Sequence, residues 1–117
     1  MHVLRHARLL VCVLMLAGAI VPAVALAHQN ASYEGYDVSY TTTDHFVATI
    51  CDGELDGRTA YVNFHITNSS TNPYRVNDYD GGSVCTSSQR FLATIWQHHT
   101  CESVQNAPDL CAPYIAS

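Results

Sequence analysis

Thr59-Ala60-Tyr61-Val62-Asn63-Phe64-His65-Ile66-Thr67 alternates without a slip: Ala60, Val62, Phe64 and Ile66 fall on one face, Thr59, Tyr61, Asn63, His65 and Thr67 on the other. Successive side chains of a strand point to opposite faces, so this pattern identifies a half-buried antiparallel strand rather than a helix. β-branched and aromatic residues, which suit a pleated surface, fill it. The chain on either side repeats the pattern. Upstream, Phe46, Ala48 and Ile50 share a face within residues 45–51. Downstream, residues 74–78 read as a short strand. Residues 91–102 read as a long one, with Phe91, Ala93 and Ile95 on one face and Leu92, Thr94 and Trp96 on the other. Two apolar faces suit a central strand. Residues 110–116 read as a last strand, which Pro113 confines to an edge because it lacks a backbone N–H. Turn chemistry separates these segments: the Asp52-Gly53 and Asp56-Gly57 pairs, residues 68–73, the Gly/Ser/Asp loop 77–89, and residues 103–109. Helical periodicity and internal repeats are absent from the sequence. The expected fold is all-β, a small antiparallel β-sandwich or open barrel of five to six strands.

Residues 1–27 read as a secretory signal peptide. Arg5 and Arg8 charge its start, residues 9–20 are almost unbroken apolar sequence, and Ala25 and Ala27 form an A-x-A cleavage site. Cleavage after Ala27 removes 27 of 117 residues and leaves 90. These comprise a polar segment over 28–43, read as an edge strand or a flexible leader, and a β domain over 44–117. A chain of this size buries only about 60–65% of its unfolded surface, so cross-links matter. Cys51, Cys85, Cys101 and Cys111 remain after cleavage, and an even count in a short exported chain reads as two structural disulfides. Three pairings are open. Cys101–Cys111 is preferred because the two residues flank a turn at the facing ends of two strands, and Cys51–Cys85 then anchors the long loop. Each bridge contributes roughly 2–3 kcal/mol, the longer loop slightly more.

The mature chain carries three arginines (Arg58, Arg75, Arg90), no lysine and ten carboxylates, a balance of −7 with histidine neutral. Nucleic acid is not an expected partner, because phosphate binding relies on clustered Lys and Arg. After signal cleavage no membrane association is expected either: no second apolar run approaches the roughly 20 residues of a span. The expected product is a secreted, extracellular monomer.

Three constellations are candidates for chemistry. Asp52-x-Glu54-x-Asp56-Gly57 resembles the opening of a calcium loop, in which alternate oxygens converge on a hard cation. It departs from that pattern at Glu54 and again at Asn63, where a bidentate Glu belongs. The plainer reading is a hairpin turn whose Asp side chains satisfy backbone N–H groups. Cleavage after Ala27 would expose His28, whose amine and imidazole together suit Cu(II); cleavage after Ala25 would place the same histidine third. His65 and one of His98 and His99 can share a sheet face, but two histidines without a third ligand do not complete a zinc site. Among the aromatics, Trp96, Tyr61 and Tyr79 are candidate binding residues, since such side chains bury large area at low entropic cost. No G-x-S-x-G element is present, and no catalytic residue or cofactor is assigned.

The run Cys51-Asp52-x-Glu54-x-Asp56-Gly57, Tyr61-Val62, Cys85, Cys101-Glu102 and Cys111-Ala112-Pro113-Tyr114 resembles a group of small secreted two-disulfide proteins of actinobacteria, from residue 44 onward. The resemblance implies a two-disulfide β domain and brings no activity with it. The functional expectation is a non-enzymatic binding module with its specificity in the loops, directed at an extracellular protein or a cell-wall component. An inhibitor of an extracellular hydrolase and a copper- or calcium-binding protein are the alternatives.

Overall fold

The computed structural model describes residues 30–117 except 71, 72 and 83; the signal-peptide reading and His28 lie outside the described residues. The described residues contain no helix. They form nine strands: β1 (Ser32–Glu34), β2 (Asp37–Thr41), β3 (Ala48–Cys51), β4 (Ala60–Ile66), β5 (Tyr74–Asp78), β6 (Thr86–Ser87), β7 (Ile95–Glu102), β8 (Leu110–Cys111) and β9 (Ile115–Ala116). All pairings are antiparallel. One sheet has the order β1-β2-β3-β6; the other has β5-β4-β7-β8, with β9 also on β7. The two sheets pack face to face, β1 and β2 against β7, and β3 against β4 and β5. Five strands have four or more residues, in keeping with the expected five to six. The others are two or three residues long, too short to leave a periodic signal.

The alternating stretch becomes β4 at the centre of its sheet, with Val62 opposite both Val76 of β5 and Thr100 of β7. Its inward residues Ala60, Val62 and Phe64 meet Ala48, Ile50 and Ile95 in a fully buried core, with Ile66, Tyr74, Val76 and Phe91 around it. The Phe64 ring meets Phe91 edge-on at 5.4 Å and stacks on Tyr74 at 5.8 Å. Burying a side chain of this size stabilises the fold by about 1.5–3 kcal/mol.

The other half of the inter-sheet space is polar. Asp37, Ser39 and Thr41 of β2 point inward, as do His98, Thr100 and Glu102 of β7, and all are buried. His98 Nε2 lies 3.1 Å from the Asn30 carbonyl, which only accepts, so Nε2 carries the proton and Nδ1 accepts from the Ser39 hydroxyl at 3.0 Å. The Thr100 hydroxyl donates to the Ser32 carbonyl at 2.6 Å and sits 2.8 Å from Ser39 Oγ. The Thr100 N–H donates to Ser32 Oγ at 3.0 Å. Buried polar groups are tolerated when paired in this way, and burial holds the His98 pKa below its ordinary value. The segment 28–43, as far as it is described, therefore enters the sandwich as a strand pair.

Two local expectations change. Residues 52–59 do not form a hairpin: β3 and β4 belong to different sheets, and this segment carries the chain across from one to the other. Residues 91–94 do not extend β7: the backbone at either end of this segment bonds to the chain leading into β3, while the Thr94 carbonyl accepts from Thr67 N–H just beyond β4 at 2.8 Å. Phe91 N–H donates to the Phe46 carbonyl at 2.9 Å and Ile95 N–H to the His45 carbonyl at 2.7 Å. At the end of the chain Pro113 separates β8 from β9, and both lie at the β7 edge. Both disulfides pair as expected. Cys101–Cys111 joins direct register partners on β7 and β8; Cys51–Cys85 ties the end of β3 to the residue before β6.

Candidate functional site

At one end of the sandwich three connections converge: the β1–β2 turn, the β3–β4 crossover and the β5–β6 loop. Buried aspartates hold them. Asp52 N–H donates to Asp78 Oδ2 (3.0 Å), Gly53 N–H to Asp37 Oδ1 (2.9 Å), and Glu54 N–H to Asp52 Oδ1 (3.0 Å). Asp78 Oδ1 also accepts from Asp80 N–H and the Thr86 hydroxyl, and Gly82 N–H donates to the Asp52 carbonyl at 2.6 Å. The expectation that Asp side chains satisfy backbone donors thus describes Asp52 well, within a crossover rather than a hairpin.

The packing is close enough to specify glycine. A Cβ at Gly53 would lie 2.1 Å from the Tyr36 carbonyl oxygen, and one at Gly81, where φ is +53°, would lie 2.7 Å from the Glu54 carbonyl oxygen. The Cys51–Cys85 bridge adds a covalent tie across the same region. On this rigid base stand four large apolar side chains held out to solvent: Tyr36 (78% exposed), Leu55 (89%), Tyr79 (73%) and Val84 (64%). Leu55 and Tyr79 line one open hollow of about 210 Å³ with Asp80 and Arg58; Tyr36 and Val84 line another of about 200 Å³ beside the disulfide.

Carboxylates crowd beneath the tips. Oxygens of Asp37, Glu54 and Glu102 come from β2, the crossover and β7 and lie within 4.8 Å of one another. Such a trio has the ligand type for a hard cation. It differs from the expected Asp52, Glu54 and Asp56: Asp52 is engaged with backbone, and Asp56 lies beside Arg58 at 3.9 Å. Glu102 instead accepts from Arg58 Nη1 at 3.1 Å. Burial, together with the charges of Asp52, Glu54 and Glu102, pushes the Asp37 carboxyl up to about 6, against the opposing Gly53 N–H. Burial and Asp56 likewise raise Glu102, with Arg58 opposing.

The remaining candidates lie on the outer face of the second sheet. Tyr61 is 3% exposed, so it is no part of a contact surface. Its hydroxyl donates to Asp109 at 2.5 Å, and Arg75 covers its ring at 3.9 Å. Trp96 is half exposed, with the His65 ring 5.7 Å away, at a bulge opposite residues 65 and 66. His65 and His99 share this face, as adjacent-residue geometry requires, while His98 points inward. The Tyr114 ring lies against both, 5.1 Å from His65 and 3.7 Å from His99. Leu55 and Val84 escaped the sequence reading. Their only signal was large apolar side chains within otherwise polar turns.

No protein-family model, curated protein or solved structure matches this chain.

Proposed function

We propose that this protein is exported through its N-terminal signal and acts as a binding module whose contact surface is the loop end. The observation that carries the reading is the group of four exposed apolar side chains, Tyr36, Leu55, Tyr79 and Val84, on loops fixed by buried aspartates and a disulfide. Exposed apolar groups on a preorganised base lose little conformational entropy when covered, which favours association. The two disulfides accord with an oxidising, extracellular setting. Glu54, Asp56 and Asp80 surround the tips with one nearby cation among the described residues, Arg58, so the complementary partner is an extracellular protein or cell-wall component with a basic rim around an apolar centre.

The test is capture from culture supernatant and cell-wall fractions, comparing the oxidised protein with a Leu55→Ser/Tyr79→Ser variant of equal melting temperature. Capture that the variant loses, and that weakens as salt rises, supports the reading. Equal capture by both proteins refutes it. The rigid, bridge-anchored loops also suit an inhibitor of an extracellular hydrolase; a panel of secreted proteases and glycosidases left fully active by the protein would remove that version.

A further inference from the structure

The Cys101–Cys111 bridge has chemical surroundings that its structural role does not require. Arg75 Nε–H donates to Asn63 Oδ1 at 2.9 Å, which fixes the amide orientation and turns Asn63 Nδ2 toward His99 Nε2, 3.1 Å away. The other ring nitrogen, Nδ1, lies 2.9 Å from the Ala112 carbonyl, which only accepts. His99 therefore carries its proton on Nδ1, and Nε2 accepts one N–H of the Asn63 amide. The Nε2 atom lies 3.6 Å from Cys101 Sγ, and Asn63 Nδ2, which has a second N–H, lies 4.0 Å from the same sulfur. The two halves of the bridge differ in access: Cys101 is fully buried and Cys111 is exposed. At Cys51–Cys85 no third histidine, cysteine or carboxylate atom joins the pair in this way among the described residues.

We infer that Cys101–Cys111 is a thiol-exchange site, with Cys111 the sulfur attacked by an external thiol and Cys101 the leaving group received by His99. A thiolate from a low-molecular-mass thiol or a protein dithiol approaches Cys111 Sγ, the accessible atom. A new S–S bond forms between that thiol and Cys111 while the Cys101–Cys111 bond breaks and its electron pair stays on Cys101 sulfur. The external thiol is oxidised to the disulfide level and Cys101 is reduced. The proton that the incoming thiol gave up returns to the Cys101–His99 pair, where S–H donates to Nε2. Exchange is faster when the departing thiolate is stabilised, and at this buried sulfur the Asn63 N–H groups are the donors that do so. As the proton returns, His99 Nε2 exchanges the Asn63 N–H for the Cys101 S–H. The other polar and charged groups on this face are Arg75 from β5, Tyr61 and His65 from β4, and Asp109 and Tyr114 on either side of β8. Of these, Tyr61 Oη lies 3.9 Å from Cys111 Sγ. Opening the bridge also frees β8, a two-residue strand, from covalent attachment to β7.

The test treats the oxidised protein with reduced glutathione at neutral pH, quenches with acid, and maps each cysteine by differential alkylation and mass spectrometry. The expected result is that Cys101–Cys111 opens at least about ten-fold faster than Cys51–Cys85, with glutathione on Cys111 and not on Cys101. In His99→Gln the ratio of the two opening rates falls about ten-fold. Because Cys51–Cys85 is an internal reference, a general loosening of the fold would speed both bridges and leave the ratio unchanged. Equal opening of the two bridges in the wild type, glutathione on Cys101, or an unchanged or increased ratio in His99→Gln would overturn the assignment.

Discussion

Replacing Asp37 with asparagine should stabilise the protein at neutral pH, and the gain should disappear in acid. Asp37 is 1% exposed, shares its surroundings with Glu54 and Glu102, and is pushed up to about 6 from an ordinary 3.8. A carboxyl with a raised folded-state pKa binds its proton more tightly in the native state than in the unfolded one. Its ionisation therefore subtracts from stability as pH rises from about 4 to 6, and the full penalty persists above that. A difference of about two pKa units gives an upper bound of about 3 kcal/mol at pH 7. Glu54 and Arg58 reach solvent beside the cluster, and screening there reduces the expected effect to about 1–2 kcal/mol. The amide that takes the place of the carboxylate keeps an oxygen for the Gly53 N–H and supplies donors to the neighbouring carboxylates.

The assay is urea unfolding of both proteins between pH 3 and 8. The wild-type profile alone is ambiguous, because His98 and His99, held low by burial, work in the opposite direction: they lose stability as pH falls through the ordinary histidine range. Both proteins share those histidines, so the difference between the two curves isolates Asp37. That difference should be about 1–2 kcal/mol in favour of Asp37→Asn at pH 7 and fall toward zero below pH 4. A variant that is less stable at pH 7, or a difference that does not change with pH, refutes the raised pKa assigned to Asp37.

Other substitutions probe the scaffold. Gly53→Ala places a methyl against the Tyr36 carbonyl oxygen and should cost about 2–3 kcal/mol in chemical denaturation; a neutral result would show that the β1–β2 turn can yield. Asp52→Asn should be close to neutral because an amide oxygen still accepts from Glu54 N–H, whereas Asp52→Ala should cost about 1–2 kcal/mol, and equal costs would point away from a turn role. Thr100→Val removes the hydroxyl from between Ser32 and Ser39 and should lower stability by about 1–3 kcal/mol, measured by calorimetry.

Much of the architecture was legible because it is local. The period-two run in β4, the Asp-Gly turns, the Pro113 interruption and both cysteine pairings each express a constraint between residues close in sequence or a loop between strand ends. The division into sheets was not legible: alternation tells which face of a strand is buried, not which neighbour lies across it. β3 and β4, separated by turn residues, look like a hairpin and are not one. β2 shows a deeper limit. Val38 and Tyr40 are its apolar residues, yet Asp37, Ser39 and Thr41 form the buried face, because β7 offers them His98, Thr100 and Glu102 rather than aliphatic groups. A satisfied polar interior has the sequence signature of a solvated surface. For the same reason the carboxylate trio was out of reach, since residues 37, 54 and 102 meet only after the sheets stack. The thiol-exchange geometry depends on Asn63, His99 and Cys101, which β4–β7 register brings together.

The boundaries of the two sheets bear on self-association. One sheet ends in β1 and β6, of three and two residues; the other ends on one side in β8 and β9, of two residues each. Strands so short offer an incoming chain little to pair with, and Pro113 removes a donor between the last two. The exception is β5, five residues long and, among the described residues, paired only with β4. Its exposed Arg75 is occupied on the outer face with Asn63 and the Tyr61 ring rather than projecting as a free charge that would repel another chain. If this molecule aggregates on concentration, growth should begin by strand addition at Tyr74–Asp78, and a lysine introduced in place of Asn77 would be the economical protection.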